Sequence, residues 1–243
     1  MKFSLPLSST QQKFYGQIIE PILRYYPIGT KVDVPEYREY PGQVELGEII
    51  VENIHKRKNY KARWTDFERE IKKELKKEVE GQSYGIRPSF SSRLIIKDAK
   101  YEDLIHFKSL HFSVSLIGPF FTIHGVDETW IVDDGRHYVS LNVVTVSPYK
   151  EFESPFNFVK SKIEERFLGY KFIPFRLHSM LIADLYDPYR DNEEHSIYTA
   201  LFDDSLKGYD TFRIRGDNQY GFNVWINDAD RPDVRITGPA PDN

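Results

Sequence analysis

"LHFSVSLIGPFFTIHG", residues 110–125, decides the architecture. Leu110, Phe112, Val114 and Leu116 alternate with His111, Ser113 and Ser115. After Gly118-Pro119 the alternation resumes, with Phe121 and Ile123 set against Thr122 and His124. A period of two belongs to a β-strand, whose successive side chains point to opposite faces. The stretch therefore reads as an antiparallel hairpin with one apolar face and one face of two imidazoles and three hydroxyls. An even-numbered loop at Gly118-Pro119 sets His124 opposite Ser113, with His111 diagonally beside it. A one-residue slip would mix the faces, so the pattern itself specifies the pairing to that extent. Directly opposed β-carbons lie about 5 Å apart and diagonal ones about 7 Å, close enough for a shared phosphate. The plainer expectation is that Ser, Thr and His occupy the watery side of a half-exposed antiparallel strand.

Alternation continues on both sides, through "RLIIKD", "TWIVDD" and "HYVSLNVVTV". Asp134-Gly135 supplies the positive φ angles of a tight hairpin, placing His137 near Val132. His137 thus lies on the order of 25 Å from His124, and the even spacing of His111, His124 and His137 is not a ligand set. The expected fold is α+β: an antiparallel β-meander packed by helices, with an N-terminal helical layer. One domain covers 1–243, divided into a helical layer (1–81), a sheet with one packing helix (83–237) and a frayed tail (238–243).

In the helical layer, Ser9 and Gln12 open a helix with Phe14, Ile18, Ile22 and Tyr25 on one side, which Pro21 should kink or divide. Residues 27–47 read as an irregular connection with a short strand around Val32. Thr65 and Glu68 make a capping box for a second helix with a Trp64, Phe67, Ile71, Leu75, Val79 stripe, ending at Gly81. A third helix runs from Ser154 as cap and Pro155 to Gly169, with Phe156, Val159, Ile163 and Phe167 on its apolar face. Short strands are expected at "YKFIPF", "SIYTALF", "DTFRIR" and "FNVWI", and "GPAPDN" should fray.

Composition bounds the chemistry. The 243 residues are 40% hydrophobic and 15% aromatic, enough for a real core. Cysteine is absent, which closes disulfide, thiolate-metal and thiol-nucleophile chemistry. The net charge of -4 argues against bulk coating of nucleic acid. No apolar run is long enough to span a bilayer, and the first residues lack a signal-peptide core. The expected location is cytoplasmic, with no membrane, cofactor or metal.

Several motifs imitate sites. "GQSYG" at 81–85 spells a nucleophile elbow around Ser83, but a helix precedes it where a strand is required. Glu74-Leu75-Lys76 imitates a nuclease triplet on a helix, and Arg215-Gly216-Asp217 reads as a turn. "DLYDPYRDNEEH" (184–195) gathers acids without the ligand spacing of a calcium loop. Residues 55–77 hold ten Lys or Arg against four Asp or Glu, so this segment carries +6 and the rest of the chain -10. Pairs such as Glu68 with Lys72 would make that helix face an ordinary solvated one. Lys56, Arg57 and Lys58, with Tyr60 and Trp64 for stacking, form the alternative of a nucleic-acid-binding patch.

His111-Phe112-Ser113-Val114 resembles half of the signature of two-histidine phosphoesterases, in which each of two His-x-Ser/Thr elements brings an imidazole and a hydroxyl to a phosphate. That resemblance implies His111, Ser113 and His124 as catalytic residues. The second copy is missing, since His178-Ser179-Met180 has methionine where the hydroxyl belongs. The stretch 110–124 and "ALFDDSLKGYDTFRIRGDNQYGFNVWI" resemble, in general style, bacterial immunity proteins that bind and block a cognate toxin. That resemblance implies a non-catalytic protein-binding module with a protein partner, a basic toxin domain, met by Asp187, Asp191, Glu193 and Glu194.

Overall fold

The computed structural model describes residues 9–133, 136–186, 194–206 and 213–225. The chain enters through helices. Helix α1 (Ser9–Tyr25) buries Ile18, Ile22 and Tyr25 and runs through Pro21 undivided. Burial of Ile18 and Ile22 on either side offsets the roughly 3 kcal/mol that an interior proline costs. Residues 27–47 are not an irregular connection with a strand: they hold α2 (Pro35–Arg38) and most of α3 (Pro41–Ile50), each with proline in its first turn. There the missing N–H would be unpaired in any case, so these prolines start helices. Two π-helical turns, Val51–His55 and Lys61–Thr65, flank α4 (Arg57–Tyr60) and lead into α5 (Asp66–Leu75).

Because the chain is already helical at Thr65 (φ -59°, ψ -35°), the expected capping box does not form. Glu68 instead accepts a hydrogen bond from Ser92 Oγ at 2.5 Å, and Lys72 pairs with Glu78 at 2.6 Å. Lys76, left-handed at φ 52°, ends the helix. Gly81, expected as the stop, belongs to β1 (Val79–Gly81).

The meander is present as expected: β2 (Ser89–Tyr101), β3 (Leu104–Ser115), β4 (Phe120–Asp133) and β5 (Arg136–Thr145) pair antiparallel in sequence. Val132 pairs with His137, the predicted register. In the decisive hairpin His111 pairs with His124 and Ser113 with Thr122, two residues from the expected pairing. The loop has four residues because Leu116 N–H is taken by Pro88 O and Ile117 is buried. A slip of two preserves both faces.

The apolar face of the sheet (Leu110, Phe112, Val114, Phe121, Ile123) is closed by Trp64 of the second π-helical turn, by Phe67 and Ile71 of α5, and by Phe156, Val159 and Ile163 of α6 (Glu153–Arg166). Trp64 stacks on Phe90 at 5.3 Å and donates to Ser92 Oγ at 2.8 Å. A 3-10 turn, Lys150–Phe152, precedes α6, so Ser154 lies inside the helix and does not cap it. Strand β6 (Lys171–Phe172) pairs parallel with β4, followed by α7 (Phe175–His178).

The segment expected as a strand at "SIYTALF" is mostly helix. After β7 (Leu181–Tyr186) and β8 (Glu194–Ser196), Ser196 caps α8 (Ile197–Leu201) in a reciprocal box with Thr199. All five α8 residues are buried, and packing outweighs the strand preference of their side chains. Strand β9 (Arg213–Arg215) pairs parallel with β5, and Gly216 turns at φ 96°. "FNVW" is a 3-10 turn instead of a strand: Trp225 Nε1 donates to Phe172 O at 2.7 Å, pinning the indole in the core. The tail 238–243 lies outside the described residues.

Candidate functional site

The polar face of the hairpin is not watery. Its rows are fixed by pairing: Ser89 beside Ser115; Ser91, Ser113 and Thr122 across three strands; then Arg93, His111 and His124. Ser91, Ser113, Thr122 and His124 are each no more than 2% exposed, and His111 is partly buried. What covers them is α7, α8 and the residues just beyond α8. The sequence shows which side chains share a face, and part of the cover is α8, where the residue pattern predicts a strand.

Asp203 organises the layer. Its carboxylate accepts from Ser91 Oγ at 2.8 Å, Ser113 Oγ at 3.0 Å, Tyr198 Oη at 2.6 Å and Ser205 N–H at 2.9 Å. Burial by itself pushes this carboxyl up, and the bonds from Tyr198, Ser205 and Ser91 outweigh it, leaving the group below the usual carboxylate range. The same burial, with the carboxylate beside it, holds the Tyr198 phenol well above its ordinary value.

The imidazoles converge as well. His111 and His124 stack at 5.4 Å between centroids; His124 lies 6.4 Å from His178 and 5.8 Å from Tyr198. Desolvation, and then mutual repulsion between His111 and His124, lowers His111 to about 3. Desolvation lowers His124 to about 4 and His178 well below 6.5, against the opposing pull of Asp203. All three are therefore neutral near pH 7. His111 Nε2 is 3.0 Å from Ser109 Oγ, while neither ring nitrogen of His124, nor Thr122 Oγ1, has a hydrogen-bond partner.

The site residues implied by the phosphoesterase resemblance are thus brought together, but without a catalytic linkage. Ser113 donates its hydrogen bond to Asp203, not to an imidazole. None of the three imidazoles titrates near neutrality, where general acid-base catalysis is most efficient. A recess of about 190 Å³ lined by Phe175, His178, Leu181, Tyr198 and Leu206, among others, reaches the edge of this layer, and Ser113 and His124 are not in its lining. Among the described residues no group of three or more His, Asp or Glu is placed to hold a metal ion.

The other predicted positions are dispersed. Asp187, Asp191 and Glu193 lie outside the described residues, and Glu194 is on β8 opposite Tyr186. Lys56, Arg57 and Lys58 are exposed around α4, with Lys56 paired to Glu52. Tyr60 is partly buried against Phe90 and donates to Ser83 Oγ at 3.1 Å, and Trp64 is fully buried, so neither ring is presented for stacking on a base. Ser83 also bonds both backbone groups of Ser91 and serves as a strap between β1 and β2.

Sequence reasoning missed Asp203 and Tyr198, the centre of the layer. The usable signal was Ser196-x-x-Thr199, a helix start that places Tyr198 and then Asp203 over the sheet. No family model, curated protein or solved structure matches the chain. No helix among the described residues is long and apolar enough to cross a membrane.

Proposed function

We propose that the chain is a non-catalytic protein-binding module, of the kind represented by cytoplasmic immunity proteins that block a basic toxin domain by stoichiometric occlusion. The observation that carries this reading is the sealing of the histidine-hydroxyl cluster on the sheet: His124 and Thr122 are 0% exposed and Ser113 is 1%. A phosphate ester has no approach to the buried hydroxyl, and the hydroxyl is bonded to no imidazole. The segregated charge, +6 over residues 55–77 against a net acidic remainder, suits electrostatically steered protein association.

Two measurements test it together. Purified protein should show no phosphodiesterase turnover of bis(p-nitrophenyl) phosphate above buffer. Calorimetric titration against the toxin-like product of a neighbouring gene should give a one-to-one complex that weakens with salt. Turnover that disappears in His111→Ala would assign the chain to the phosphoesterases and end the binding reading.

A further inference from the structure

Strands β2 to β5 extend past the helices as a four-stranded arm, and its far end carries an apolar row. Tyr101 pairs with Leu104, Leu104 with Ile131, and Ile131 with Tyr138, so the four side chains lie side by side across all four strands. Their exposures are 66%, 39%, 47% and 52%. Alternation along β3 puts the row on the face that α5 and α6 close nearer the body, where Leu110 and Phe112 are fully buried. Between the two lies a charged belt of Lys108, Asp127, His106 and Glu151. Scattered exposed hydrophobics are ordinary, whereas a contiguous row with two tyrosines is the composition of an interface core.

The geometry points to a second copy of this chain as the occupant, in a two-fold dimer that packs arm on arm with the axis along the row. Each side chain on the axis then meets its own counterpart, tyrosine on tyrosine and aliphatic on aliphatic, in an isologous contact. The orientation follows from the cover on the same face. The Lys108–Glu151 pair at 2.6 Å marks where the 3-10 turn before α6 begins to close the sheet. Arms pointing the same way would drive the two helix layers into each other, so they overlap from opposite ends. Four residues from Leu104 to Lys108 leave about 13 Å, room for the partner's tip.

Charge supports the same arrangement. The tip between β2 and β3 carries exposed Glu102 and Asp103, and Lys97, also exposed, lies four residues back from Tyr101 on the row's face. An axis along the row turns the acidic tip of one copy toward Lys97 of the other. The area sets the strength. The four exposures amount to about two whole large side chains, on the order of 400 Å² per copy, half of the roughly 800 Å² per partner of a standard interface. The dimer is therefore weak and reversible.

Sedimentation of the full chain from about 10 μM to about 1 mM tests this. A monomer-dimer equilibrium is expected for the wild type, and a monomer throughout for Leu104→Glu with Ile131→Glu, whose far-UV circular dichroism should match. Glu102→Lys with Asp103→Lys should weaken the dimer about tenfold, and adding Lys97→Glu should restore it. A wild type that stays monomeric, association that survives the two glutamates, or indifference to the charge reversal overturns the proposal.

Discussion

Lowering the pH from 7.5 to 5 should destabilise the protein through its buried imidazoles. Burial holds His111 at about 3 and His124 at about 4 in the folded chain, against an ordinary value of 6.5. In the unfolded chain both take up protons as the pH falls through 6.5, while the folded chain does not. The unfolded state therefore binds more protons, and stability drops with falling pH until the folded groups titrate. At pH 5, one and a half units below the unfolded value, each imidazole costs about 2 kcal/mol at 1.36 kcal/mol per unit, or about 4 kcal/mol for the pair. His178 moves in the same direction. Against a typical total of about 5–15 kcal/mol, this should be plain in urea titrations followed by tryptophan fluorescence at pH 7.5, 6.5, 5.5 and 5. His124→Leu removes one of the titrating groups, so the loss between pH 7.5 and 5 should shrink by about 2 kcal/mol. The account fails if wild-type stability at pH 5 stays within about 1 kcal/mol of its value at pH 7.5, or if the leucine variant loses as much as the wild type.

Other substitutions separate what is satisfied in this layer from what is not. Thr122→Val should leave stability unchanged or raise it, because Thr122 Oγ1 is buried without a partner and an apolar isostere removes a desolvated group; urea midpoints measure this. Asp203→Asn should cost about 2–4 kcal/mol by the same titration, since four donors lose a charged acceptor. Gly125→Ala should lower the melting temperature, with a cost of about 1–3 kcal/mol, because a β-carbon there would stand 2.8 Å from the Phe152 ring.

The meander and its two faces were legible because alternation is a local signal that survives every tertiary influence except a one-residue slip. Helix positions were less so. Proline in the first turns of α2 and α3 has the same one-letter appearance as proline in a loop, and the difference lies in whether the following turn finds a hydrophobic neighbour. α8 reads as strand because Ile197, Tyr198 and Thr199 favour strands, against the Ser196–Thr199 box and the helix-forming Ala200 and Leu201. The hairpin register depended on Pro88, which accepts the Leu116 amide from nearly thirty residues away. The burial of the polar face was illegible for the most direct reason: alternation assigns residues to a side and says nothing of what lies over that side.

A sealed polar layer of this kind contributes more to uniqueness than to net stability. Replacing a buried ionic network with well-packed apolar residues is often neutral or stabilising, whereas breaking one member is costly. Asp203 meets Ser91 and Ser113 only while β2 and β3 hold their present pairing, in which those two residues are direct partners. A two-residue slip of β3 against β2 would keep every apolar side chain on its own face and so escape the hydrophobic penalty that guards against a one-residue slip. In the direction that sets His111 opposite Ser91 it would also carry Ser113 away from Asp203 with no hydroxyl in its place, leaving a buried carboxylate short of a donor at a cost of about 1–3 kcal/mol or more. The Asp203 network therefore disfavours one of the two slips that apolar packing leaves open. The same pairing of β2 with β3 sets half of the row on the arm, since Tyr101 and Leu104 lie side by side only in this register.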